Sequence, residues 1–150
     1  ETVTRVFDAP RALVFEAWTD PRHVAEWWGP QGFTNPVCEL DARPGGALRI
    51  VMRAPDGVEY PMTGAFREVV EPERLVFTAV AEDADGNPLL EALTTVTFAE
   101  HGGKTIVTLQ ASAVALVPAA APMLEGMEAG WTQSLERLAK HVAKLTGGSQ

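Results

Sequence analysis

Residues 124–145, LEGMEAGWTQSLERLAKHVAKL, decide the fold. At about 100° per residue, Leu124, Met127, Trp131, Leu135, Leu138, Val142 and Leu145 fall within an arc of roughly 80°, while Gln133, Glu136, Arg137, Lys140 and Lys144 take the opposite side. The pattern predicts one amphipathic helix, about 30 Å long at a rise of about 1.5 Å per residue. Gly147-Gly148 end it, and Lys140 and Lys144 complement the negative end of its dipole. A helix of this length with one apolar stripe needs a broad apolar surface to lie against.

The preceding residues supply that surface. From Phe33 to Ala113 the apolar period is two, and strands are predicted at Thr34–Asp41, Ala47–Arg53, Glu59–Val70, Leu75–Val80, Leu90–Ala99 and Lys104–Ala113. Turn chemistry separates them: Arg43-Pro44-Gly45-Gly46, Pro55-Asp56-Gly57, Glu71-Pro72-Glu73, Asp85-Gly86-Asn87-Pro88 and His101-Gly102-Gly103. Such short connections make successive strands neighbours in an antiparallel meander. Leu48, Ile50 and Met52 share one face and Arg49, Val51 and Arg53 the other, so one side of the sheet is dry and the other largely wet.

Val3–Phe7 adds a first strand, and Pro10 opens a short helix that buries Leu13, Val14, Ala17 and Trp18. Asp20 caps a second helix with Pro21 as its first residue, running to about Trp27 until Gly29 and Pro30 stop it. The expected class is α+β: a curved seven-stranded antiparallel sheet around a long C-terminal helix, with two short helices after the first strand. One helix cannot fill the whole concavity, so a cavity between helix and sheet is expected. No repeat or linker divides the chain, which reads as one domain over 1–150.

Composition narrows the function. With 20 acidic and 12 basic residues and a net charge of −8, no concentrated basic face is available for nucleic acid. The lone Cys38 excludes an internal disulfide and fits a reducing, cytoplasmic setting. No apolar run reaches the roughly 18 residues of a membrane span, so no membrane partner is expected. The first residues lack the basic-then-apolar order of a signal peptide, and a chain opening on Glu1 reads as a trimmed start.

Several runs together resemble a known family: Ala9-Pro10-Arg11-Ala12-Leu13-Val14-Phe15-Glu16-Ala17-Trp18-Thr19-Asp20-Pro21, Trp27-Trp28-Gly29-Pro30, Asp41-Ala42-Arg43-Pro44-Gly45-Gly46, Gly64-Ala65-Phe66-Arg67-Glu68, Pro72-Glu73-Arg74-Leu75-Val76-Phe77-Thr78 and Gly130-Trp131. The sequence is similar to the heat-shock-protein-90 ATPase activator homologue-like family of the SRPBCC superfamily, which includes START domains and birch-pollen-allergen-like proteins. The resemblance implies a helix-grip fold with a hydrophobic cavity between the C-terminal helix and the sheet. For function it leaves three classes: a non-catalytic binder of a small apolar or aromatic molecule, a co-chaperone or protein-interaction module, and a cyclase- or hydrolase-like enzyme using the same cavity. The first is the expected one, without cofactor, and a homodimer is left open.

Met123, Met127 and Trp131 are the leading ligand contacts, because methionine adapts to irregular shapes and Trp131 centres the apolar stripe, with Leu135 one turn on. Tyr60, Met62 and Phe66 alternate on one face of their strand and join them if that face is inward, as does Phe77. Trp27 and Trp28 either line the cavity mouth or pack the second helix on the sheet. The Pro44-Gly45-Gly46 run reads as a tight strand connection rather than a phosphate cradle, since a strand and not a helix follows it. His23, His101 and His141 lack partners at ligand spacing and read as solvated surface residues, so no metal is expected. Cys38 reads as a small buried apolar residue, and Glu82-Asp83-Ala84-Asp85 as a solvated hairpin end.

Overall fold

The computed structural model describes residues 1–147. They run as β1 (Thr2–Phe7), α1 (Arg11–Thr19), α2 (Pro21–Trp27), β2 (Thr34–Leu40), β3 (Ala47–Arg53), β4 (Glu59–Val70), β5 (Arg74–Glu82), β6 (Pro88–His101), β7 (Lys104–Ala115), a 3₁₀ turn (Pro118–Ala120) and α3 (Ala121–Leu145). The strands form one antiparallel sheet in the order β1-β7-β6-β5-β4-β3-β2, the meander expected from the turns, with β1 closing back onto β7. This is the helix-grip arrangement.

Differences from the sequence reading lie at element ends. β5, β6 and β7 outrun their predicted spans because the backbone ladder between them continues past the residues that alternate clearly. α1 begins at Arg11, with Pro10 in extended backbone as its N-cap, one residue later than predicted. α3 starts at Ala121, three residues earlier than its apolar stripe, because the 3₁₀ turn at Pro118 feeds directly into it. Gly148, the second helix-ending glycine, lies outside the described residues.

One continuous core joins the concave face to the helices. Leu48, Ile50, Phe66, Leu75, Phe77, Val96, Phe98, Val107 and Leu109 meet Val14, Phe15, Trp18, Trp27, Leu135, Leu138 and Val142. Val51 departs from the expected wet face: it is buried on the outer side beside its cross-strand partners Val37 and Pro61. Three irregularities bend the sheet: one in edge strand β2 around Pro36, which has no N–H to give a ladder, one at Arg67 in β4, and one at Leu89 where β6 pairs with the end of β5.

Along α3 the burial is uneven. Leu135, Leu138 and Val142 are fully buried, while Leu124, Met127 and Trp131, nearer its start, are only partly covered. The C-terminal half packs into the core, and the N-terminal half bridges open space.

Candidate functional site

That space is a cavity of about 220 Å³ between the N-terminal half of α3 and strands β3 to β6. Small side chains create it. On the concave face Ala79 pairs with Ala92 and Ala81 with Leu90, so the centre of the sheet offers methyl groups where Phe66, Phe77 and Val96 fill the core further along. Met52 and Met62 close one side, Met123, Met127 and Trp131 the roof, and Trp28 with Gly29 and Pro30 the end under α2.

The loop after α2 is held by α3 side chains. The Gly29 N–H donates to Ser134 Oγ (3.1 Å), and the Gln31 N–H to Gln133 Oε1 (3.0 Å). Arg137 Nη1 donates to the carbonyls of Trp28 (2.9 Å), Gly29 (3.1 Å) and Pro30 (3.1 Å), and its Nη2 to Glu26 O (3.1 Å). The guanidinium thereby gathers carbonyls of the last turn of α2 and of the loop that follows it. Asn35 Nδ2 adds bonds to Ala25 O and Trp28 O. Gly29 sits at φ +95°, and a Cβ there would come within 2.8 Å of Met52 Sδ, so only glycine brings the turn this close to the cavity wall.

An aromatic cluster stiffens the same end. Trp131 stacks on Trp18 with centroids 6.0 Å apart and meets Trp28 edge-on at 5.3 Å. Trp28 in turn lies 6.3 Å from Phe77.

Of the residues named from sequence, the fold brings Met123, Met127, Trp131, Trp28, Met62 and Phe77 to the cavity lining. The others lie elsewhere. Trp27 is wholly buried and donates its indole N–H to Ala17 O (2.9 Å), so of the two open readings its role is packing. Leu135 and Phe66 are core residues, Phe66 edge-on to Phe77 at 6.1 Å. Tyr60 shares the inward face of β4 but stands at the strand's start, 39% exposed and tilted against Phe33, beyond the cavity rim.

Sequence reasoning missed Met52, Ala79, Ala81, Ala92, Thr94 and Ser134 in the lining, and Arg137 behind it. Ala79 and Ala81 at alternate positions of β5, with Ala92 on the neighbouring strand, were a readable signal for a hollow. Gln133 and Arg137, placed on the solvent side by helical angle, instead reach sideways to the α2 loop.

The lining sets the available chemistry. It carries indole rings, thioethers and methyls, with the hydroxyls of Thr94 and Ser134, and no carboxylate, imidazole, amine or thiol. Such a surface holds an apolar guest and orients one polar atom. A broader depression of about 680 Å³ on the outer side of α3, lined by Gln31, Glu128, Ala129, Thr132, Gln133 and Glu136, is open to solvent.

Other candidates fall outside the cavity. Cys38 is half-buried on β2, and burial first, then the charge of Glu39, push its thiol up to about 11, the behaviour of an inert packing residue. Gly45 and Gly46 N–H groups donate to Phe66 O and Arg43 O, so that run acts as a strand connection. Asp83 accepts from the Asp85 and Asn87 amides and so builds its own hairpin turn. The histidines differ from expectation: His23 on α2 and His141 on α3 are partly buried and face one another, Nδ1 to Nε2, at 3.0 Å.

A model of the family described as activator of Hsp90 ATPase homolog 1-like protein matches residues 8–143. Among solved structures, a Chromobacterium violaceum protein is 33% identical, with 95% of each chain covered and a TM-score of 0.79. An AHSA1 protein from Silicibacter pomeroyi is 26% identical, covering 95% of this chain and 96% of that one at a TM-score of 0.79. A Nitrosomonas europaea protein, 24% identical over 98% of this chain and 96% of its own, shares the fold at a TM-score of 0.80. No curated protein matches the sequence. Among the described residues no helix is long and apolar enough to cross a membrane.

Proposed function

The chain belongs to the activator of Hsp90 ATPase homolog 1-like family, whose fold suggests a ligand-binding or co-chaperone module, and from that premise we propose that it is a non-catalytic binding protein for a small, uncharged aromatic or apolar molecule. One observation supports the reading: a cavity of about 220 Å³ whose lining includes two indoles, a phenyl ring, four methionines, a leucine and three alanines, with only two hydroxyl side chains. A hollow of about 150 Å³ lined by apolar residues takes up benzene, so this one suits a guest of one or two rings. Burial of the guest's apolar surface supplies the affinity, and the hydroxyls of Thr94 and Ser134 select its orientation. Without a charged partner in the lining, an ionised guest would lose its hydration uncompensated and is rejected.

The proposal extends to a cytoplasmic location, supported by the single cysteine, and to a small molecule rather than nucleic acid as partner, supported by the net charge of −8. The test is a titration with a neutral naphthylamine dye. The expected result is one saturable site per chain, emptied by naphthalene and not by naphthoate. Non-saturating uptake, or equal competition by the carboxylate, overturns it.

A further inference from the structure

Among the described residues three hydroxyl side chains are buried: Thr94, Thr105 and Ser134. Thr105 is paired, donating its Oγ1–H to Ala9 O at 2.7 Å. The other two line the cavity and are not fully paired. Ser134 Oγ accepts the Gly29 N–H at 3.1 Å, and among the described residues its own proton has no acceptor. Thr94 is 2% exposed, and among the described residues its hydroxyl has no hydrogen-bond partner. Buried hydroxyls are as a rule paired, and a buried strand position is filled at no such cost by valine, which has the same shape. Both hydroxyls stand where the hollow meets the packed core. Along the concave face of β6 the side chains pass from Ala92 beside the hollow, through Thr94 opposite Phe77, to Val96 in the core. Ser134 holds the corresponding place on α3, between Trp131 over the hollow and Leu138 in the core. The partly exposed methionines of the lining offer only weak acceptors and no donor.

Resting on the binding role above, we propose that the guest is a neutral aromatic carbonyl compound, a ketone, quinone or lactone of one or two rings, and that Thr94 is the residue that selects it. The carbonyl oxygen goes to the buried end and the ring lies against the indoles, methionines and alanines. A carbonyl oxygen brings two lone pairs and no proton of its own, which suits a site where Ser134 is already engaged as an acceptor and has its proton to give, and where the Thr94 hydroxyl is free to turn. A hydrocarbon of the same shape leaves both hydroxyls as they stand in the empty cavity, so it gains burial alone. A site built around unpaired polar groups discriminates against a guest that lacks their partner.

The test uses the full chain with acetophenone and α-methylstyrene, which share a shape and differ by C=O against C=CH₂, each displacing the naphthylamine dye. Their hydration differs, so the readout is how the ratio of their affinities changes between wild type and variant. Thr94→Val keeps the side-chain shape and should lower the ketone-to-alkene ratio roughly three- to tenfold, the equivalent of one neutral hydrogen bond. Thr94→Ser keeps the hydroxyl and should hold the ratio near its wild-type value. In infrared spectra the carbonyl band of isotope-labelled acetophenone bound to wild type should lie below its position in hexane, and move back toward it in Thr94→Val. Guest-free Thr94→Val should melt no lower than wild type, because an unpaired hydroxyl gives way to a methyl group. A lower melting temperature would mean that the hydroxyl serves the fold, and it overturns the proposal. An unchanged ratio in Thr94→Val, or a wild-type band at its hexane position, overturns it too and leaves apolar binding standing. Failure of the wild type to take up dye, ketone and alkene alike removes the binding role and this inference together.

Discussion

Arg137 and Ser134 show how much of the cavity depends on side chains that never touch a guest directly or do so with one atom. Ser134 Oγ is the acceptor for the buried Gly29 N–H, and Ser134→Ala leaves that donor unpaired. The expected cost is about 1–3 kcal/mol in a denaturant melt. Arg137→Met keeps the aliphatic stem and removes the contacts to Trp28, Gly29 and Pro30 carbonyls, so it should loosen the turn and lower dye affinity while α3 stays helical by circular dichroism. Neither role was legible from helical angle, which assigns a face but not the sideways reach of a long side chain. Trp131 was legible as a cavity residue because its neighbours fixed an apolar stripe, whereas Trp28 was left open between lining and packing until the fold put it in the lining. Trp27 was ambiguous, because only the fold reveals that its indole N–H finds Ala17 O. At Cys38 the prediction concerns pH: a thiol raised from about 9 to about 11 is protonated at about pH 8. Iodoacetamide should label it slowly in native protein and quickly in urea. Because the folded pKa is the higher one, the linked stability is present below the ordinary thiol value and lost as pH rises toward the folded one.

The elements differ in how they divide between packing and function, and α3 does both along its length. Leu138 is fully buried against the core, so Leu138→Ala should cost about 2–5 kcal/mol. Met127, three turns toward the start, borders open space, and Met127→Trp should change stability little while excluding the dye. Equal destabilisation at both positions would mean a helix packed uniformly along its length. Periodicity placed this helix and the strands, and the start and stop signals at Pro10, Asp20-Pro21 and Gly29-Pro30 placed the two short helices. It could not place strand ends or the bulge at Arg67, where backbone pairing continues without side-chain alternation. Likewise His23 and His141 share no element, so a search along the chain for ligand spacing could not join them.

For the whole molecule the central point is that a curved sheet, a straight helix and a row of alanines leave a hollow. Sheet order and helix follow from local sequence, and the hollow is what remains where neither fills the space between them. Its size depends on Ala79 and Ala92, cross-strand neighbours on the concave face. Replacing both by leucine adds roughly six methyl-sized groups to the cavity and none to the surface. The most direct test is a calorimetric titration of the naphthylamine dye into the wild type and this double variant, each paired with a thermal melt. The account predicts a saturable heat in the wild type, none in the variant, and a melting temperature at least as high, because the new side chains enter empty space and gain contacts. A variant destabilised by about 1–3 kcal/mol, as overpacking of a filled core would give, beside a wild type that takes up no dye, would contradict it.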